Sequence, residues 1–453
     1  MRVLLVSANQ ELVPDPVFPL GLSCLAGALQ AAGHDYEVVD FNFDSLDVLE
    51  DKVRGFDPGL IGISLRNIDN VSYPKTVKYL DFSRQAVARI RKITSSPVVL
   101  GGAGFSLYPE QIIKYAGAEY GIVGSGEEPL VELIAALQGK RGFQEIPGLL
   151  PSGGNGNNSA RKLLPVPNHV PAPAKFRLDS YLDMGGMASV QTRRGCAFKC
   201  IYCSYPLIEG DRVRTRPVED VLIELTSHAE QGAEVFFVDS VFNQPVRYAR
   251  EVCEGILRKN LSIRWTAYCT PGGMDRDMAE LFKQSGCMGV EFGTDALSER
   301  MLANMGKSFD VRAVEQASEA CRHAGLPLCH AVLVGGPGED ETTLEETISR
   351  LERLPATAVI FMSGIRIIPR TKLHRIAIQE GAIDEDDDLL EPRFYLSPPI
   401  AGKLEKRVRE LAGEHKNWIF PGYGIRCSDR LACLLRKKGV KGPLWLGLDK
   451  TVL

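Results

Sequence analysis

Over the first 140 residues, the constraint on the fold is an alternation of two periodicities. Short apolar runs, "RVLLVSA", "YEVVDF", "LIGISL", "PVVLGG" and "EYGIVG", recur with stretches of helical period between them. Continuous runs of this kind suit strands buried on both faces, and the intervening stretches are long enough for helical crossovers. The clearest helix is "PLGLSCLAGALQAAGH", where Pro19 suits the first turn and Gly33 the stop. Five such strands, closed by a helix near 128–138, predict an α/β domain over residues 1–140 with a doubly wound five-stranded parallel sheet. Sheets of this type bind ligands at the carboxyl ends of their strands.

Those ends carry particular residues. The first strand is followed by "NQELVPDPVF", without the Gly-x-Gly-x-x-Gly that a dinucleotide pyrophosphate requires, which argues against NAD or FAD here. The third runs into "SLRNIDNVSYP", the fourth into "GGAGFSLYPE" and the fifth into "GSGEEP". Glycines at such places let a backbone approach a bulky ligand closely, or simply make tight turns; composition leaves both readings open.

Residues 141–187 change character, with Pro, Gly and Asn dominating "IPGLLPSGGNGNNSARKLLPVPNHVPAPAKF". The expectation is a linker, with a small hairpin capping the first domain and an extended tether after it. Beyond it, "ASVQTRRG" reads as a strand, and "CAFKCIYC" places Cys196, Cys200 and Cys203 in the loop that leaves it. Thiolates this close can hold one face of a [4Fe–4S] cube and leave its fourth iron open. Zinc with a distant fourth ligand is the rival reading, but no Cys-x2-Cys or His-x3-His partner follows at finger-like spacing. Strand-like runs continue at "EVFFVDS", "IRWTAYC", "MGVEFGT", "LCHAVLVGG" and "AVIFMSGIRI". With the first strand they make six βα units, a partial (β/α)6 barrel over 188–370 with a lateral opening. His330 lies mid-strand and reads as a core residue more readily than as a substrate contact. Residues 371–453 form a small α-rich capping segment, in which Tyr395, Trp418, Tyr423 and Trp445 either line a closure or belong to a core.

The charge balance, 53 Lys plus Arg against 57 Asp plus Glu, argues against a nucleic-acid partner held through phosphates and against a polybasic membrane anchor. No segment approaches the roughly 20 apolar residues of a membrane span. The start reads as a strand, not a signal peptide, and eleven cysteines suit a reducing, cytoplasmic compartment.

Two resemblances follow. "PLGLSCLAGALQAAGHDYEVVDFN", "GGAGFSLYPEQI" and "VGSGEEPLVELI" resemble phrases of the cobalamin-binding domain that fronts one class of radical S-adenosylmethionine (SAM) enzymes. The cysteine trio is similar to that of the radical SAM superfamily, in which the open iron is chelated by SAM. The resemblance implies three cofactors: the cluster on Cys196, Cys200 and Cys203, SAM, and cobalamin. For cobalamin it points to Ser64, Leu65, Arg66, Asn67, Asn70, Gly101, Gly102, Gly124, Gly126 and Glu127. The Asp-x-His-x-x-Gly motif that supplies a cobalt ligand in many such proteins is absent, and His34 falls at the wrong end of the sheet. Arg66, Asn67 and Asn70 are therefore the residues expected under the corrin, with a solvated loop making turn bonds open as the alternative for each. For SAM the matching phrases give Tyr202, Asp239, Glu291, Gly293, Gly335 and Ile367; a helix cap or salt bridge stays open for Asp239 and Glu291. The implied activity is methyl transfer from SAM through methylcobalamin to an unactivated carbon or phosphorus of a small-molecule or peptide substrate. An electron donor such as flavodoxin or ferredoxin is expected, and no nucleic acid. Relatives with both modules that cyclise or contract rings without methyl transfer, others that methylate by polar chemistry, and a non-enzymatic cobalamin or redox sensor stay open as alternatives.

Overall fold

In the computed structural model, which describes residues 1–13, 15–153 and 173–448, the parallel strands of two sheets turn their carboxyl ends toward one cavity. The first sheet comprises β1 (Arg2–Ser7), β2 (Asp35–Asp40), β3 (Leu60–Ser64), β4 (Val98–Gly101), β5 (Tyr120–Ile122) and β6 (Leu149–Pro151), in the order β2-β1-β3-β4-β5-β6. Val3, Leu4, Leu5 and Val6 are all fully buried, as expected of a central strand covered on both faces. One face carries α1 (Leu20–Ala31); the other carries α2 (Leu46–Phe56) and α3 (Leu80–Arg91). The short α4 (Ala103–Leu107) and α5 (Pro109–Ala116) follow β4, and α6 (Glu127–Leu137) returns to pack on α1. Strand order reverses between β1 and β3, so the loops leaving those two strands flank the natural crevice of the sheet.

The sheet has six strands where the sequence predicts five. Within the segment read as linker, "LLP" pairs antiparallel with β5, Leu149 opposite Ile122. This strand covers an edge that would otherwise expose a row of unpaired backbone groups. The extended tether expected after it lies mostly outside the described residues.

The second sheet takes the order β17-β14-β13-β12-β11-β10-β7, and every pairing in it is parallel. Its strands are β7 (Ala188–Val190), β10 (Val235–Phe237), β11 (Trp265–Cys269), β12 (Cys287–Asp295), β13 (Leu328–Val334), β14 (Ala358–Ser363) and β17 (Trp418–Ile419). The first six are the six expected βα units. The seventh, β17, comes from the C-terminal segment and adds to the edge at β14, so that segment does more than cap. Two small antiparallel pairs stand apart: β8 (Arg193–Arg194) with β9 (Arg214–Thr215), and β15 (Ile365–Arg366) with β16 (Phe394–Tyr395). Asp275, Asp310 and Asp340 begin three of the crossover helices, each accepting the backbone N–H three residues on.

The modules share packing. One apolar cluster runs from Leu4 and Ile63 through Ile201 to Phe361 and Ile367. Arg366 of β15 reaches into the loop after β3, its Nε 3.0 Å from Asp69 Oδ2, with both side chains at 5% exposure or less. No helix among the described residues is long and apolar enough to cross a membrane.

Candidate active site

The cysteine loop is fastened before it reaches its first thiol. Asp239, just beyond β10, accepts from the Thr192 backbone N–H at 2.8 Å, the Thr192 hydroxyl at 2.6 Å and the Arg193 N–H at 3.1 Å. The Arg193 guanidinium lies under the loop and donates to the Val241 carbonyl. Gly195, at φ +89°, accepts no side chain: a Cβ would stand 2.1 Å from the Arg212 carbonyl oxygen. Its N–H donates to Glu209 Oε2 at 3.0 Å, and the Cys196 N–H donates to the Gly210 carbonyl at 3.1 Å. The thiols of Cys196, Cys200 and Cys203 follow, all free. Burial raises Cys200 and pushes Cys203 up to about 12, with neighbouring cysteines adding to both shifts.

Of the residues expected at SAM, Glu291 lines the cavity and the other five do not. Asp239 is fully buried, and its oxygens are engaged by the cluster loop, which it anchors. Ile367 is also fully buried, within the shared apolar core. Gly335 is buried at the end of β13, where its N–H donates to Glu339 and its carbonyl accepts from Ser397. Tyr202 donates its hydroxyl to Asp295 Oδ2 at 2.6 Å. Gly293 stands opposite Lys307, whose Nζ would be 4.0 Å from an added Cβ.

The cavity has a volume of about 1010 Å³. Its first-module wall contains Ser64, Asn67, Asn70, Gly101, Gly102, Gly124, Gly126 and Glu127, and also Arg66. Leu65, by contrast, is 3% exposed: its N–H bonds Gly101 and its carbonyl bonds Gly104, so it shapes the loop from inside. The Arg66 side chain lines the space with no hydrogen bond or ion pair to it among the described residues, and desolvation holds its pKa below the ordinary value. Glu127 pairs with Arg194 of the cysteine loop. At Gly101 an added Cβ would meet nothing nearer than 3.8 Å, so the glycine leaves room on the cavity side. Among the described residues no histidine lines the cavity, and His34 sits instead beside the amino terminus of the chain, 3.4 Å from Met1 N.

The opposite wall was only partly foreseen. Tyr205 and Tyr268 face the cavity at 37% and 40% exposure, and Phe236 meets Tyr268 edge-on at 5.0 Å. Burial and the neighbouring Asp15 push Glu291 up to about 7. Burial also raises Asp15 to about 6, against the pull of its partner Arg436. Trp445, from the C-terminal segment, closes the floor against Gly289, where a Cβ would lie 2.8 Å from the indole. Tyr395 and Trp418 are core residues at 2% and 3% exposure, and His330 is a buried core histidine bonded to Thr294 and Ser318. Tyr205 and Tyr268 are unremarkable in sequence; the one signal for Tyr205 was its place two residues after Cys203.

Comparison with known proteins matches the two modules separately. Residues 11–134 match the B12 binding domain, and residues 190–351 match the radical SAM superfamily. Tryptophan 2-C-methyltransferase of Streptomyces laurentii is 28% identical over 81% of this chain and 73% of its own length. An uncharacterized methyltransferase of Pyrococcus horikoshii is 29% identical over 90% of this chain and 91% of its own. The structure of the radical SAM methyltransferase TsrM from Kitasatospora setae, with cobalamin and a [4Fe–4S] cluster bound, superposes with a TM-score of 0.87. It is 26% identical and covers 99% of this chain and 98% of its own; a second TsrM structure holds tryptophan and a SAM analogue. With both modules matched in this order and a cavity between their strand ends, the chain belongs to the cobalamin-dependent radical SAM enzymes.

Proposed function

We infer that the chain is a methyltransferase that moves a methyl group from SAM, through cobalamin, to an unactivated position of a small molecule. One observation carries the reading: Arg66 from the cobalamin module and Glu291 from the SAM module line the same cavity, which is large enough for a corrin edge, SAM and substrate together. The residues fit the groups. Three free thiols in a pinned loop suit the cluster, and glycine-rich strand ends suit the close approach of a corrin.

When bound, the cluster supplies an electron to the SAM sulfonium and cobalamin supplies a carrier for its methyl group. The chain's own residues do the rest. Arg66, Asn67 and Asn70 would present polar groups to a bound corrin, and Gly101, Gly102, Gly124 and Gly126 would leave room for it. Tyr205, Tyr268 and Phe236 offer faces on which a planar substrate stacks. Glu291 and Asp15 place carboxyl groups near that surface, suited to a protonated amine. A substrate with an aromatic ring and an amino group satisfies both, and tryptophan, the substrate in the TsrM complex, is the first to try. An electron donor of the flavodoxin or ferredoxin type and a cytoplasmic location complete the reading, supported by eleven cysteines that are all free thiols.

The test is anaerobic reconstitution with iron, sulfide and cobalamin, followed by incubation with methyl-labelled SAM and tryptophan or related aromatic amines. Labelled methyl in product is expected, lost when Cys196, Cys200 and Cys203 are all replaced by Ala. Unlabelled product with an altered skeleton would instead indicate rearrangement chemistry.

A further inference from the structure

We propose that Lys307 sets the reduction potential of the cluster held by Cys196, Cys200 and Cys203, and that Asp295 and Tyr202 position it for that role. The proposal rests on the reading that this trio binds the cluster.

Lys307 is a cation in an unusual place. Its side chain is 8% exposed, and its Nζ lies 3.0 Å from Asp295 Oδ2, whose own side chain is 4% exposed. The Tyr202 hydroxyl donates to the same Asp295 oxygen, so the carboxylate is held from two sides. Asp295 ends β12 in the left-handed region, at φ +61°, a backbone cost that a non-glycine residue bears only where the surroundings enforce it. A buried ion pair gives little net stability over apolar side chains of the same volume, so stability alone does not explain this one.

Its location is fixed with respect to the cluster loop. The Ile201 N–H donates to the Met305 carbonyl at 3.0 Å. At Gly306, with φ +72°, an added Cβ would stand 2.6 Å from the Lys199 carbonyl oxygen. The turn bearing Lys307 is thus docked directly on the backbone between Lys199 and Ile201. The ammonium acts on both Cys200 and Cys203, and at Cys200 its influence exceeds the opposing one of Asp295. The sulfurs therefore feel the cation of the pair more than its anion.

Reduction adds one electron from a low-potential donor and takes the cube from the 2+ to the 1+ state, with no bond made or broken. The reduced cube is the more negative state, so a fixed cation beside its sulfurs favours it and raises the potential. A lysine that merely anchored the turn would leave the potential where it is.

The experiment is an EPR-monitored redox titration of the reconstituted full-length protein with titanium(III) citrate, without SAM or cobalamin. Iron and sulfide are counted first; a wild-type protein that holds none overturns the cluster reading itself. Lys307→Met is expected to disfavour reduction at least tenfold, about 59 mV for one electron. Lys307→Arg keeps the charge and stays near the wild-type value, while Asp295→Asn moves the potential upward. Lys199→Met removes an exposed cation from the same loop, 74% exposed, and sets the baseline. A Lys307→Met protein with full iron content and a potential matching Lys199→Met overturns the proposal. Where Lys307→Met fails to retain iron, an Asp295→Asn potential that is unmoved or lowered overturns it instead.

Discussion

Arg194 Nη2 lies 2.6 Å from Glu127 Oε1, with the two side chains 10% and 4% exposed, and the pair joins the cluster loop to the helix that opens after β5. The Arg194 Nη1 also donates to Ser125 Oγ at 3.1 Å. The two walls of the cavity are therefore tied by charge as well as by packing. Removing one member of a buried pair strands the other in low dielectric, which typically costs about 3–5 kcal/mol. Glu127→Ala is expected to destabilise the cobalamin-free protein by that order, and Glu127→Gln by less, because the amide oxygen still accepts a hydrogen bond. Urea unfolding followed by tryptophan fluorescence measures it, and a Glu127→Ala loss under about 1 kcal/mol would contradict the assignment.

The buried Arg366–Asp69 pair makes a second such tie, three residues from Arg66. Asp69 Oδ1 also accepts the Val71 N–H at 2.8 Å, and Arg366 donates to the carbonyls of Ile367 and Leu389. Asp69→Asn is expected to weaken cobalamin binding by loosening the loop that carries Arg66, Asn67 and Asn70. The Asp69→Asn, Arg366→Met double variant should lose less stability than the sum of the single variants, a coupling of about 0.5–3 kcal/mol in a double-mutant cycle. Strict additivity would mean the two side chains do not act on each other.

Arg66 behaves in the opposite way, because nothing among the described residues holds its guanidinium. Arg66→Ala is expected to leave unfolding stability within about 0.5 kcal/mol, as for substitutions away from packed features. Bound cobalamin should nevertheless change, with weaker retention on gel filtration and an altered visible spectrum. A variant that retains cobalamin with the wild-type spectrum would remove Arg66 from the corrin site.

Much of this architecture is legible in the sequence because it depends on periodicity and spacing. The doubly wound sheet follows from buried runs such as "RVLLVSA", and the cluster loop from three cysteines within eight positions. What escaped depends on contacts distant in sequence. β6 pairs with β5 across more than 25 residues, and β17 reaches β14 from more than 50 residues away; neither has a strong pattern of its own. Asp239 and Ile367 match phrases of the SAM module, but such a match gives position along a strand end and not the direction of a side chain. Asp239 points back to Thr192, and Ile367 points into the core. Lys307 and Asp295 are ordinary residues in sequence, and only the turn at Gly306 brings their charges beside the thiols.

Gly102 tests the backbone of the cobalamin module. It sits at φ +98°, and an added Cβ would fall 2.5 Å from the Leu65 carbonyl oxygen, an atom already bonded to the Gly104 N–H. Neither the backbone conformation nor the contact can be relieved by a side-chain rotation. Gly102→Ala is expected to cost about 1–3 kcal/mol and to shift the loop bearing Arg66, reducing cobalamin uptake. Gly33→Ala, also at positive φ but with nothing within 4 Å of its Cβ, should carry strain alone and leave cobalamin uptake intact. Equal losses of cobalamin in the two variants would show that the close approach at Leu65 is not what matters.

Glu291 gives the cavity a pH dependence whose sign can be worked out. Burial, with the like charge of Asp15 adding, pushes its pKa from 4.5 up to about 7. The group is therefore neutral below pH 7 and a carboxylate above it. A folded-state pKa above the unfolded one means its contribution to stability is fully present below about pH 4.5 and is lost as pH rises through 7. Asp15, raised to about 6, acts in the same direction over a slightly lower window. Ligand-free protein should thus become easier to unfold between pH 5 and 8, roughly the range these two shifts span. Binding of an amine-bearing aromatic substrate should run the other way, because only the carboxylate attracts the ammonium. KM for such a substrate is expected to fall as pH rises from about 6 to 8, and Glu291→Gln should flatten both trends while Asp15 retains a weaker remnant. A KM that rises over this range would put a neutral or anionic group of the substrate at Glu291.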